Sequence, residues 1–227
     1  MAENKTGTIL SSSVSNTLIK KTIYIIRHGE TDLNKQGIVQ GRGMDTDLND
    51  FGRLQSEAFY QAYKHIPFDK IYSSTLKRTH QTISKFIDSG IPWTQFPGLD
   101  ELAWGIYEGK ESSQETRSAF RTMMQHWVAG DLDYKFENGE SPLEVKARQL
   151  LILENLIEHN TDQNILICMH GRAMRLFLCL LTNIPLTGMD SFPHVNTTLY
   201  KVIYDGSDFG IVDFNNTDHL KYLLADK

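Results

Sequence analysis

Three short stretches place side chains able to do chemistry directly after apolar runs. Ile23–Ile26 leads into Arg27-His28-Gly29-Glu30, and Lys70–Tyr72 leads into SSTLKRTHQT with Arg78. Ile165–Met169 leads into His170-Gly171-Arg172. Taken singly, each has a bland explanation: a surface ion-pair arginine, or a satisfied and partly buried histidine. Taken together, two arginines and a histidine turned into one crevice would repel unless an anion sits among them. Arginine supplies a fixed fork suited to oxyanions, so an anionic ligand is the natural occupant.

The elements that must carry these groups follow from the pattern. Strand candidates are Thr22–Ile26, Lys70–Tyr72, Trp93–Phe96, Ile165–Cys168, Thr198–Tyr204 and Gly210–Phe214, several of them near-continuous apolar runs of the kind covered on both faces. Helical patterns fall at about Asp50–His65, Thr75–Ser89, Glu111–Ala129, Pro142–His159 and Arg172–Leu181. The alternation implies an α/β fold, a three-layer sandwich with a mostly parallel central sheet flanked by helices. Ser141, Pro142 and Glu144 form a strong helix start, and Leu143, Ala147, Leu150, Leu151, Leu153, Leu156 and Ile157 keep mostly to one stripe. Ser73 or Ser74 is placed to cap the helix carrying Arg78. Ligands in open α/β sheets bind beyond the carboxyl ends of the strands. The three clusters would then converge, with two helix N-termini aimed at the same spot.

The whole chain sets limits on partners. Its 227 residues allow one domain over 21–227, with a helical insertion at about 105–140, after a loosely ordered arm over 1–20. A formal charge of −5 speaks against nucleic acid, and no apolar run approaches the roughly 18 residues of a membrane span. The polar N-terminus lacks the apolar segment of a secretory signal. Cys168 and Cys179 sit in apolar surroundings as two buried thiols, which fits a cytoplasmic protein and makes the sequons at Asn4, Asn196 and Asn215 accidental. No metal-ligand spacing is present, so neither metal nor cofactor is expected. Gly41-Arg42-Gly43 follows no strand and lacks the third glycine of a dinucleotide loop. Oligomeric state is not encoded in any pattern we find.

RHGETDLN, QGRGMDTDLNDFGRLQ, SSTLKRTHQT, LDELAWGIYEG and MHG, in this order, resemble the motif set of the histidine phosphatase superfamily, in its phosphoglycerate-mutase-like branch. The resemblance implies that His28 is the nucleophile that accepts a phosphoryl group. It also implies that Arg27, Arg78 and His170 form the phosphate pocket, and that Asn34 adds a hydrogen bond. Glu101 falls at the acid/base carboxylate. Thr31 and Gln40 occupy positions that often line the pocket, and Gly171 and Arg172 follow the second histidine.

Elementary chemistry supports those roles. Phosphoryl transfer needs in-line positioning and neutralised oxygens, which the arginines supply. His28 must be neutral to attack; cations push its pKa down, a bound dianion pushes it up, and a bond from its other ring nitrogen to a carbonyl would fix the tautomer. Gly29 would let the chain turn sharply close to the ligand. Glu101 would protonate the leaving alkoxide and then deprotonate the attacking water. Glu30 competes for that role, whereas Glu108 reads as structural. His65, His126 and His159 read as exposed, His80 as supporting or surface, and His194 as able to reach the pocket. The resemblance implies that mutases carry a longer, more basic insertion, so the mixed charge of the 105–140 region favours hydrolysis of a small phosphorylated metabolite over mutase-type transfer, and the presence of every proposed catalytic side chain speaks against silent phosphate binding. Arg172 and Arg42 are placed to read a second anionic group.

Overall fold

The computed structural model describes residues 20–158 and 161–224; Asn4, His159 and nearly all of the expected arm lie outside them. Six strands form one sheet: β1 (Lys21–Arg27), β2 (Lys70–Ser73), β3 (Trp93–Gln95), β4 (Asn164–Met169), β5 (Leu199–Tyr204) and β6 (Phe209–Asn216), in the order β3-β2-β4-β1-β5-β6. β1 to β4 are mutually parallel where they pair, and β5 and β6 add an antiparallel edge beside β1. Each expected strand is present, shifted at its ends by a residue or two.

Burial on both faces explains the apolar runs. Ile23 and Ile25 of β1 join one core layer with Ile167, Trp127, Phe177 and Tyr200. Tyr24 and Ile26 point the other way, to Phe59, Ile71, Phe86 and Cys168. Helices α2 (Asp50–Tyr63), α3 (Lys77–Thr82) and α4 (Ser84–Asp88) cover the second layer. Helices α5 (Gln114–Val128), α6 (Pro142–Glu158) and α7 (Gly171–Leu181) cover the first. No described helix is long and apolar enough to cross a membrane.

The helices depart from expectation in three places. A short helix, α1 (Asp32–Gln36), was not anticipated, because five residues show no periodicity; a reciprocal cap between Thr31 and Asn34 starts it and Gly37 at φ 68° stops it. The single helix expected over 75–89 is two, broken at Ile83 (φ −115°, ψ 16°). Neither Ser73 nor Ser74 is its N-cap residue. Its first amides instead meet Asp100 Oδ1 from Thr75 N (2.8 Å), Ser74 Oγ from Leu76 N (3.1 Å) and Asp45 Oδ1 from Lys77 N (2.7 Å).

α6 starts as expected, with Ser141 N donating to Glu144 Oε2 and Glu144 N to Ser141 Oγ. Its core face is only partly the expected one: Val145, Gln149, Ile152 and Leu156 are buried, while Leu143, Leu150, Leu151 and Ile157 are 37–59 % exposed. Polar anchors hold this rotation. Gln149 Nε2 donates to Ala173 O (2.8 Å), and Arg148 donates to Gly98 O (2.7 Å) and Glu101 O (3.1 Å).

Candidate active site

The carboxyl ends of β1, β4 and β2 lie side by side, with Arg27 opposite Met169 and Ser73 opposite Cys168. The three polar clusters therefore meet. His28 is 3 % exposed and clamped at its backbone: its N–H donates to Met169 O (2.9 Å), and its carbonyl accepts from Asn196 Nδ2 (3.0 Å) and Thr197 N (3.4 Å). Its Nδ1–H donates to Gly29 O at 2.7 Å, which leaves the Nε2 lone pair available. Burial, then Arg78 and Arg27, hold the imidazole well below its usual pKa, so it is neutral near pH 7.

The two arginines are held by different partners. Arg78 is fully buried, donating from Nη1 to Met44 O (2.6 Å), Nη2 to Gly41 O (3.3 Å) and Nε to His170 Nδ1 (3.1 Å). A guanidinium only donates, so His170 Nδ1 accepts and the proton sits on Nε2, 2.7 Å from Ser74 Oγ. Burial and the Arg78 charge keep His170 neutral, and its ring centre lies 5.1 Å from that of His28. Arg27 donates from Nη1 to His194 Nδ1 (3.2 Å), while its buried Nε has no hydrogen-bond partner among the described residues. Burial pushes both guanidinium groups down to about 10, leaving them cationic at neutral pH.

Glu101, 7 % exposed, lies against the first turn of α7. Its Oε1 accepts from Leu102 N (2.9 Å) and Ala173 N (2.9 Å), and its Oε2 from Arg172 N (3.2 Å). These bonds fix the carboxylate where the helix dipole favours it, within electrostatic reach of Arg27 and Arg78.

The expected binding residues divide. Asn34 Oδ1 accepts from Asn196 Nδ2 (3.2 Å) and Thr31 N (3.3 Å), so its amide nitrogen is the end left for a ligand. Thr31 and Gln40 brace the loop beside Asn34: Thr31 Oγ1 accepts from Asn34 N (3.1 Å) and Gln40 Nε2 (2.9 Å), and Thr46 donates to Gln40 Oε1. Arg172 is held by Asp190 (2.7 Å) over the Trp127 ring, and Gly171 packs against His194. Arg42 is paired with Asp100 (3.1 Å) and Glu140 (3.5 Å), which compensates the charge expected to read a second anion. Glu30 Oε1 accepts from Asn49 Nδ2 (2.9 Å) beside the start of α2. Glu108 receives Trp104 N (3.0 Å) and packs on Gly41 and Gly43.

Other expectations are refined. Gly29 is needed less for a turn than for a close approach, since a Cβ there would lie 2.7 Å from Gly52 O. His80 sits behind the pocket, its Nε2 2.7 Å from Ser74 O. His65 is exposed, but His126 is engaged by Asp131 (2.8 Å) and stacked on Tyr134. Asn196 and Arg148, which fix His28 and Glu101, escaped the sequence reading. So did Arg175, which shares Asp190 with Arg172. The one available signal was that Asn196 lies in the turn leading into β5, the strand paired with β1, and this required the strand order.

The profile of the histidine phosphatase superfamily (branch 1) matches residues 23–217, and the chain belongs to that superfamily. It is 28% identical over 204 residues to a putative phosphoserine phosphatase 2 of Hydrogenobacter thermophilus, covering 89% of this chain and 99% of that protein. It is 29% identical over 188 residues to a probable phosphoglycerate mutase of Yersinia pestis, covering 82% and 86%. Among solved structures, YhfR of Bacillus stearothermophilus superposes with a TM-score of 0.77 at 24% identity, covering 88% of this chain and 100% of that one. Phosphoserine phosphatase of Entamoeba histolytica, in complex with 3-phosphoglyceric acid, gives 0.76 at 25% identity, covering 88% and 99%.

Proposed function

We propose that the chain hydrolyses small phosphomonoesters through a phosphohistidine formed on His28. The observation that carries this reading is the His28 ring itself, neutral and held by Gly29 O so that Nε2 presents a lone pair within electrostatic reach of Arg27 and Arg78. In the first step the Nε2–P bond forms and the P–O bond to the leaving group breaks. Arg27 and Arg78 neutralise the non-bridging oxygens, Asn34 donates from its amide, and Glu101, which must enter this step in its protonated form, gives its proton to the departing alkoxide and is left as the carboxylate. His170 lines the pocket and holds Arg78 in its orientation. In the second step water attacks phosphorus, Glu101 takes its proton, the N–P bond breaks and phosphate leaves.

The leaving group is inferred to carry a second anion. Arg172 and Arg175 share the single carboxylate of Asp190, so one positive charge remains uncompensated beside the crevice, and both side chains are partly open to solvent. Two relatives are named for phosphoserine and phosphoglycerate, both of which bear a carboxylate. Buried, unpaired Cys168 and Cys179 support a reducing, cytoplasmic setting.

Phosphate release from a panel of phosphomonoesters, with EDTA present, tests the reading. Carboxylate-bearing substrates are expected to lead in kcat/KM. With 3-phosphoglycerate and 2,3-bisphosphoglycerate together, isomer formation outrunning phosphate release would replace hydrolysis by mutase chemistry.

A further inference from the structure

His194 lies half-buried between Arg27 and the first turn of α7. Its Nδ1 is 3.2 Å from Arg27 Nη1, and a guanidinium cannot accept, so Nδ1 carries the lone pair and Nε2 the proton. The ring also fills the space above Gly171, where a Cβ would lie 2.6 Å from Cε1 and 2.9 Å from Nε2. Its place on the chain, in the loop entering β5, is tied to the nucleophile, because Asn196 Nδ2 and Thr197 N both bond His28 O.

We infer that His194 is a positioning residue, a neutral acceptor that aims the Arg27 fork at the phosphate, as His170 does for Arg78. This rests on the phosphatase reading for its consequence in turnover, but not for its effect on phosphate binding. Arg27 is a long side chain whose Nε has no hydrogen-bond partner among the described residues, and its guanidinium is held there by the bond from Nη1 to His194. Without an acceptor at Nη1 the fork loses its fixed direction, and bidentate recognition depends on that direction. The charged groups facing His194 are Arg27, Arg175 and Arg172, all cations that oppose its protonation; with burial they push it down to about 3. It therefore stays an acceptor at any working pH, as His170 does for Arg78.

The geometry allows a specific test, because Asn reproduces the position of Nδ1 and Gln that of Nε2. Affinity for inorganic phosphate is measured calorimetrically on the full chain and on His194→Ala, His194→Asn and His194→Gln, alongside kcat and KM for p-nitrophenyl phosphate and a melting temperature for each. Loss of one hydrogen bond to a charged group predicts phosphate binding weakened about tenfold or more in the Ala and Gln variants. The Asn variant should recover to within about threefold of the parent. Gly171→Ala, which drives the ring away from Arg27, should behave like Ala. Phosphate affinity unchanged in His194→Ala, or Asn no better than Gln at equal folding, overturns the inference. Failure of the phosphatase reading would look different: turnover surviving in His28→Ala, with the phosphate-binding series unaffected.

Discussion

At the scale of single residues, the site is a set of donors and acceptors whose protonation states are fixed by their partners. Arg78 can only donate to His170, Arg27 can only donate to His194, and His28 donates to Gly29 O, so three neutral histidines hold defined tautomers. Glu101 is the residue whose proposed role makes the sharpest kinetic prediction. Glu101→Gln keeps the shape but has no proton to give a leaving alkoxide, so kcat for an alkyl phosphate should fall about 10²–10³-fold. The loss should be several-fold smaller for p-nitrophenyl phosphate, whose leaving group needs no proton. Equal losses for both substrates would contradict proton donation by Glu101 to the leaving group. Arg148, which bonds Glu101 O, Gly98 O and Glu140, is the support that keeps this carboxylate on α7.

At the scale of elements, the site depends on close packing between the loop after β1 and the start of α2. A Cβ on Gly52 would lie 2.1 Å from Glu30 O, a backbone atom that cannot move without dragging Gly29 and the His28 ring bond. Gly52→Ala should therefore cost about 1–3 kcal/mol in denaturant unfolding and lower kcat at the same time; stability and turnover both matching the parent would contradict this. Such packing also marks the boundary of what the sequence discloses. The polar ends of β1, β2 and β4 were readable, because apolar runs stopping at Arg27, Ser73 and His170 are anomalous in themselves. The role of Gly52 was hidden, since it depends on which helix lies over which loop. The face of α6 was only partly legible: Leu156 of the expected stripe is buried, but Leu143, Leu150, Leu151 and Ile157 are exposed, and Gln149 and Arg148 set the rotation through tertiary bonds. Thr31 and Gln40 were legible as polar residues near the pocket, but their mutual bond within the loop was not.

At the scale of the whole molecule, four histidines, three buried and His194 half-buried, are held neutral, and this links stability to pH. His28 and His170 are pushed well below their usual pKa, His194 to about 3 and His219 to about 4, with burial the leading cause in each. The unfolded chain takes up protons at these positions near pH 6.5, whereas the folded chain does not. Stability is therefore intact above about pH 6.5 and falls as the pH drops toward the folded-state values. Denaturation midpoints measured from pH 7.5 to 4.5 should decline steadily, and His219→Gln should flatten the slope. A flat or rising profile in the parent would contradict the buried-neutral assignment.

The central claim is that a covalent phosphohistidine on His28 Nε2 lies on the route to phosphate release. Rapid quenching under base with a labelled phosphomonoester, followed by peptide mapping and phosphorus NMR, tests it most directly. The account predicts one labelled site, Nε2 of His28, appearing and decaying at rates consistent with kcat, and absent from His28→Ala, which should lose at least about 10³-fold in turnover. Label on any other residue, or parent-like turnover in His28→Ala, would contradict it.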